Sequence, residues 1–83
     1  MLKLYAHVEA AAQPDDEWPV GLTEATIEAT PAELRKIAAF LAAAADKIEA
    51  RGRDFEHEHL HDEQPGFGDA PQLIVFNPQA AAN

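Results

Sequence analysis

The stretch from Thr30 to Gly52 leaves this chain little choice of local structure. Thr30-Pro31-Ala32-Glu33 carries three helix-start signals at once. Thr30 is a capping hydroxyl, Pro31 sits at the first helical position where its missing N–H costs nothing, and Glu33 can bond back to the cap. Leu34, Ile37, Ala38, Leu41, Ala44, Ala45 and Ile48 then fall within roughly 120° of arc at 100° per residue. Arg35, Lys36, Asp46 and Lys47 fall outside that arc. Lys47 and Arg51 suit the negative end of the helix dipole, and Gly52 suits the residue just past the end. The spacing predicts a helix from 31 to about 51, roughly 31 Å long at 1.5 Å per residue. Its stripe reads as core against a sheet, with a seam for a partner helix as the alternative.

On either side the period changes from helical to two. Residues 2–8 alternate, with Leu2, Leu4, Ala6 and Val8 on one face and Lys3, Tyr5 and His7 on the other. Residues 22–29 alternate again, turning Ala25, Ile27 and Ala29 inward and Glu24, Thr26 and Glu28 to water. These two strands are expected to pair antiparallel. Between them, residues 9–21 carry Pro14, Pro19 and Gly21 and read as an exposed loop. The segment 54–71 is polar and acidic. Leu73-Ile74-Val75-Phe76 is a short continuous apolar run, the pattern of a strand buried on both faces or central in its sheet. Asn77-Pro78 ends it, and residues 79–83 read as a frayed tail.

The expectation is therefore an α+β fold in a single domain over residues 1–83. Its order is β-β-α-β, with a small sheet of about three strands and one long helix packed across it. Leu2, Leu4, Leu22, Ile27, Leu34, Ile37, Phe40, Leu41, Ile48, Leu73, Ile74, Val75 and Phe76 are the expected core. A chain this short buries only about 60–65% of the surface its unfolded form exposes, which leaves little for a deep catalytic pocket. A homodimer would add stability.

The chain has neither cysteine nor serine, so there is no disulfide, no thiolate metal site, and neither of the two commonest nucleophiles. That composition argues against an enzyme and implies no cofactor. No apolar run approaches the ~20 residues of a membrane span, and the N-terminus lacks a signal-peptide core, which points to the cytoplasm. The net charge is −9. The acids crowd both flanks, whereas Arg35, Lys36, Lys47, Arg51 and Arg53 lie in the middle. Nucleic acid and anionic membrane are poor partners for such a surface, because both need clustered Lys and Arg. A basic protein is the natural complement.

The chemistry-bearing residues gather in Phe55-Glu56-His57-Glu58-His59-Leu60-His61-Asp62-Glu63. If extended, His57, His59 and His61 share a face with neighbours about 6.6 Å apart. One metal ion could take an adjacent pair, His57 and His59, but would need further ligands from elsewhere. A second reading makes the imidazoles proton-sensitive among their carboxylates. A third makes Phe55, Glu56, His57, Glu58, His59, Asp62 and Glu63 a recognition surface for a partner, with Phe67 as a further aromatic; Trp18 in the first loop reads as a cover for the sheet edge or, alternatively, as a further contact. Gly66-Phe67-Gly68 lacks the frame of a phosphate loop.

Three stretches resemble a known family. Residues 26–41, from Thr26-Ile27-Glu28-Ala29-Thr30-Pro31 to Phe40-Leu41, are similar to the helix entry of one of the numbered immunity-protein families attached to bacterial polymorphic toxin systems. Asp54-Phe55-Glu56-His57-Glu58-His59-Leu60 and the closing Ile74-Val75-Phe76-Asn77-Pro78 match its later segments. The resemblance implies a cytoplasmic antidote that binds and neutralises a cognate toxin. The acidic surface suits a toxin with a basic cleft.

Overall fold

The computed structural model describes residues 1–8 and 21–81. Helix α1 runs Pro31–Arg51, and its start is the reciprocal capping box that the sequence spells out. The Glu33 N–H donates to Thr30 Oγ1 at 3.2 Å, and the Thr30 N–H donates to Glu33 Oε1 at 2.9 Å. That second bond is the chief reason the Glu33 carboxyl sits below its ordinary value of 4.5. At the far end Gly52 adopts φ 56°, where a side chain would be strained, and returns its N–H to the Ile48 carbonyl. No helix among the described residues is long and apolar enough to cross a membrane.

Strands β1 (Lys3–Val8) and β2 (Leu22–Glu28) pair antiparallel, as their alternation requires. Leu4 faces Ile27 and Ala6 faces Ala25. The register then shifts between His7 and Val8, so that Val8 stands opposite Leu22 and Thr23 is left over. The Thr23 hydroxyl donates to the His7 carbonyl at 3.2 Å across this bulge. One extra residue reverses the parity of everything beyond it, which brings Leu22 onto the face of Leu4, Ala6, Ala25 and Ile27.

After α1 come a 3-10 turn (Gly52–Asp54), strand β3 (His57–His59) and a single turn of helix, α2 (Leu60–Glu63). Strand β4 (Ile74–Phe76) pairs antiparallel with β3, and a last turn, α3 (Pro78–Ala81), follows. The fold is α+β in the order expected, with β3 added inside the segment that reads as a polar loop. The strands form two separate two-stranded sheets, β1-β2 and β3-β4.

The core gathers on one flank of α1. Leu2, Ile37, Phe40, Leu60 and Phe67 form its centre, with Leu4, Ala29, Ala70, Leu73 and Val75 packed against them. Phe55 and Ala44 are buried as well. On α1 the buried residues are Ile37, Phe40 and Ala44, a line rotated roughly 70° from the Leu34–Leu41 line at 100° per residue. The expected core is corrected accordingly: Leu34 and Leu41 are 45% and 46% exposed, and Leu22, Ile27, Ile74 and Phe76 are similarly open. Aromatic volume explains the rotation. Phe40 and Phe67 carry far more burial than the alanines of the opposite side, so the C-terminal segment docks on the flank that holds Phe40. Each two-stranded sheet, in turn, leaves one face uncovered.

One polar side chain is sealed into the structure. Asn77 is fully buried, and its amide group is saturated. Nδ2 donates to the Gly52 and Phe55 carbonyls at 2.9 and 2.8 Å, and Oδ1 accepts from the Gln79 N–H at 3.0 Å. Its backbone N–H donates to the Glu56 carbonyl at 2.8 Å. Asn77 therefore caps α3 with Pro78 at the first helical position while clamping the turn that ends α1.

Replacing Asn77 with alanine leaves the buried Phe55 carbonyl and the Gln79 N–H without their partner, while the Gly52 carbonyl keeps the Phe55 N–H, and should cost about 1–3 kcal/mol in urea unfolding. Asn77→Asp keeps the cap on Gln79 but sets a carboxylate against two carbonyls, and should be no better. For Glu33 the folded value is depressed, so its contribution is present above 4.5 and lost as pH falls through the folded value. Acid titration of stability should therefore flatten in Glu33→Gln.

Candidate partner-binding surface

The antiparallel register of β3 with β4 sorts the histidine segment into two faces. His57 pairs with Phe76, Glu58 with Val75, and His59 with Ile74. Cross-strand partners share a face, so His57, His59, Ile74 and Phe76 stand together on one side and Glu58 and Val75 on the other. On the outer side the His57 and Phe76 rings lie nearly parallel, 6.4 Å between centroids, and His57 and His59 are 5.1 Å apart. Ile74 and Phe76 are about half exposed. His57 Nδ1 donates to Glu56 Oε1 at 2.9 Å, which holds the imidazole in place at the rim.

The inner side faces α1. Lys47 Nζ donates to Glu58 Oε1, and also to Glu63 Oε1 at 2.9 Å. The side chains of Lys47 and Glu58 are 28% and 15% exposed, so this link is shielded more than a surface ion pair. These two carboxylates, Glu58 first, hold the Lys47 ammonium above its ordinary value of 10.5. Lys36 adds a bond from Nζ to the Pro65 carbonyl at 3.2 Å. The basic side chains of the helix thus tie down the acidic segment that follows it. Glu58 Oε2 and His61 Nε2 are enclosed without a protein hydrogen-bond partner.

The residues singled out in the sequence divide sharply by position. Glu56, His57, Asp62 and Glu63 are exposed, and Glu58 and His59 are half-buried. Phe55 and Phe67, expected as surface aromatics, are 4% and 2% exposed and belong to the core. His61 does not share the face of His57 and His59, because the chain turns into α2 at Leu60. Trp18 lies outside the described residues. Among the described residues no group of three or more histidines and carboxylates is arranged to hold a metal ion. Ile74 and Phe76 join the exposed face unannounced. Their signal is the period of two within Leu73-Ile74-Val75-Phe76, which a continuous apolar run conceals.

The model of one family, immunity protein 32, matches residues 24–78. The chain belongs to that family. The match takes in most of β2, all of α1, the histidine segment and β4, and ends just past Asn77. Membership places the chain among immunity proteins, whose general role is to neutralise toxins. No curated protein and no solved structure is significantly similar to it.

In an immunity protein the Lys47 clasp should matter for holding the segment in shape. Lys47→Met strands Glu58 in a shielded place and should lower the urea midpoint, while Lys47→Met with Glu58→Leu should recover much of the loss. Because the folded Lys47 value is raised, its contribution is complete below 10.5 and fades as pH climbs through the folded value. The wild-type chain should lose stability in that alkaline window, and the double variant should not show this loss.

Proposed function

We propose that this protein neutralises one cognate bacterial toxin domain by binding it stoichiometrically in the cytoplasm, as part of a polymorphic toxin system, without catalysis of its own. The observation that carries the reading is the family match across the very segment in which acids, imidazoles and apolar side chains meet at the surface.

Chemistry favours the outer face of β3-β4 as the contact. Ile74 and Phe76 supply apolar area, and His57 and His59 supply flat rings beside them. Glu56 and Asp62 add exposed negative charge along the same segment, as does Glu63, which also accepts from Lys47, and Glu58 lies beneath. An apolar centre with a charged rim is the usual build of a recognition surface. The partner it fits is a toxin with a basic surface, drawn in by the acidic rim and held by the centre. Phe55 contributes by supporting this face from the core.

Co-expression with the toxin domain encoded beside this gene should restore growth, and the two should co-purify at modest salt. No complex with any neighbouring toxin domain would refute the reading. Neutralising Glu56 and Asp62, which leaves the Lys47 clasp intact, should slow association and flatten its salt dependence. Phe76→Ala should act on dissociation instead, weakening binding by about 1–2 kcal/mol. Association rates indifferent to the two acids would move the contact elsewhere.

A further inference from the structure

Apart from Ile74 and Phe76 on the β3-β4 face, four large residues that the sequence patterns as core are left half exposed, on two further faces. One is the apolar face of β1-β2, where Leu22 and Ile27 are 53% and 46% exposed and Ala25 lies between them. Beside it a hollow of about 260 Å³ opens, lined by Leu4, Ala6, Leu22, Ala25, Ile27 and Leu73. The other is the stripe on α1 formed by Leu34, Ala38, Leu41 and Ala45, all exposed. Among the described residues, the ribbon meets the core through Leu4, with Leu2 and Ala29 at its ends, and the α1 stripe is left uncovered.

We propose that a second copy of this chain covers both faces, the β1-β2 ribbon of each copy docking on the α1 stripe of the other about a two-fold axis. Three observations point to a second copy. The molecule measures 35 × 34 × 18 Å with a radius of gyration of 14.4 Å, where a compact chain of this length has about 12 Å. It is flat and open, as one half of a two-layer assembly is. The faces are also complementary to each other: a ribbon of leucine, isoleucine and alanine side chains beside a hollow, and a helix stripe of leucines separated by alanines that lets a sheet approach closely. Finally, neither face carries a charge, in a chain of net −9. A basic partner finds nothing to pair with there, whereas a like-charged copy can approach only through a neutral face. The charged side chains of the ribbon lie on its other side, with Lys3 beside Glu28 and His7 beside Glu24 at 4.0 and 3.4 Å.

The two faces are roughly 20 Å long in the ribbon and roughly 17 Å along the helix. A two-fold arrangement buries each of them twice, on the order of 1,000 Å² in total, the lower edge of specific interfaces. Two-fold symmetry makes every contact reciprocal.

The test needs no toxin, so its failure is separate from that of the toxin-binding reading. Sedimentation equilibrium from about 1 to about 500 µM brackets a micromolar dissociation constant. The apparent mass should rise to twice that of one chain, and added salt should favour the dimer by screening two negative copies. Ile27→Lys and Leu41→Lys, both at half-exposed positions, should keep their circular dichroism and hold a single-chain mass. Because the chain lacks cysteine, Ile27→Cys and Leu41→Cys can be mixed under oxidising conditions. Covalent heterodimers should then exceed either homodimer. A single-chain mass at every concentration overturns the proposal, as does dimerisation unchanged in folded Ile27→Lys and Leu41→Lys. Closure of the disulfide within one chain of the doubly substituted protein overturns it too, since the ribbon would then cover its own helix.

Discussion

Asn77 holds together parts of the chain that have no other strong reason to meet. Its amide reaches back to the turn that ends α1, to the carbonyl of Phe55 and forward to Gln79, and its backbone extends the β3-β4 ladder to Glu56. A three-residue strand pair has little stability of its own, because so few hydrogen bonds offset the entropy of ordering it. With Asn77 fixed, β4 cannot slide along β3 without breaking its bonds to the Gly52, Phe55 and Glu56 carbonyls. The register then decides which side chains look outward. The composition of the exposed face, two imidazoles with Ile74 and Phe76, is thus a consequence of one buried amide.

The hydrophobic core obeys a second constraint, the scarcity of bulk. Alanine fills much of α1, so the few large side chains decide which way it faces. Phe40 meets Phe67, Leu60 and Leu2, and the helix turns that flank inward. The ribbon β1-β2 takes part only through its first residues and Ala29. This division gives the protein two regions of different character: a C-terminal half knitted to the helix by aromatics, Asn77 and Lys47, and an N-terminal ribbon with an open apolar side.

Charge runs through the same arrangement. Two of the five basic residues of the middle segment are tied down, Lys47 by Glu58 and Glu63 and Lys36 by the Pro65 carbonyl. What remains outward on the β3-α2 segment is acid. The carboxylates thus divide into one set that secures the scaffold and another left exposed.

The sequence by itself determined every element whose cause is local. The capping box of Thr30 and Glu33, the end of α1 at Gly52 and the antiparallel pairing of β1 with β2 were all legible, because a few neighbouring residues specify them. The family was legible too, in Asp54-Phe55-Glu56-His57-Glu58-His59-Leu60 and the helix entry. The tertiary structure alone decided which apolar residues are core. Phe55 and Phe67 look like surface aromatics among acids, and Leu34 and Leu41 look like core on a helical wheel, yet long-range packing around Phe40 exchanges them. It likewise decided that β3 exists, that His61 leaves the face of its neighbours, and that Asn77 is a clamp rather than a strand end. Periodicity reports how residues are spaced along one element; which side meets the rest of the chain depends on the volumes arriving from elsewhere.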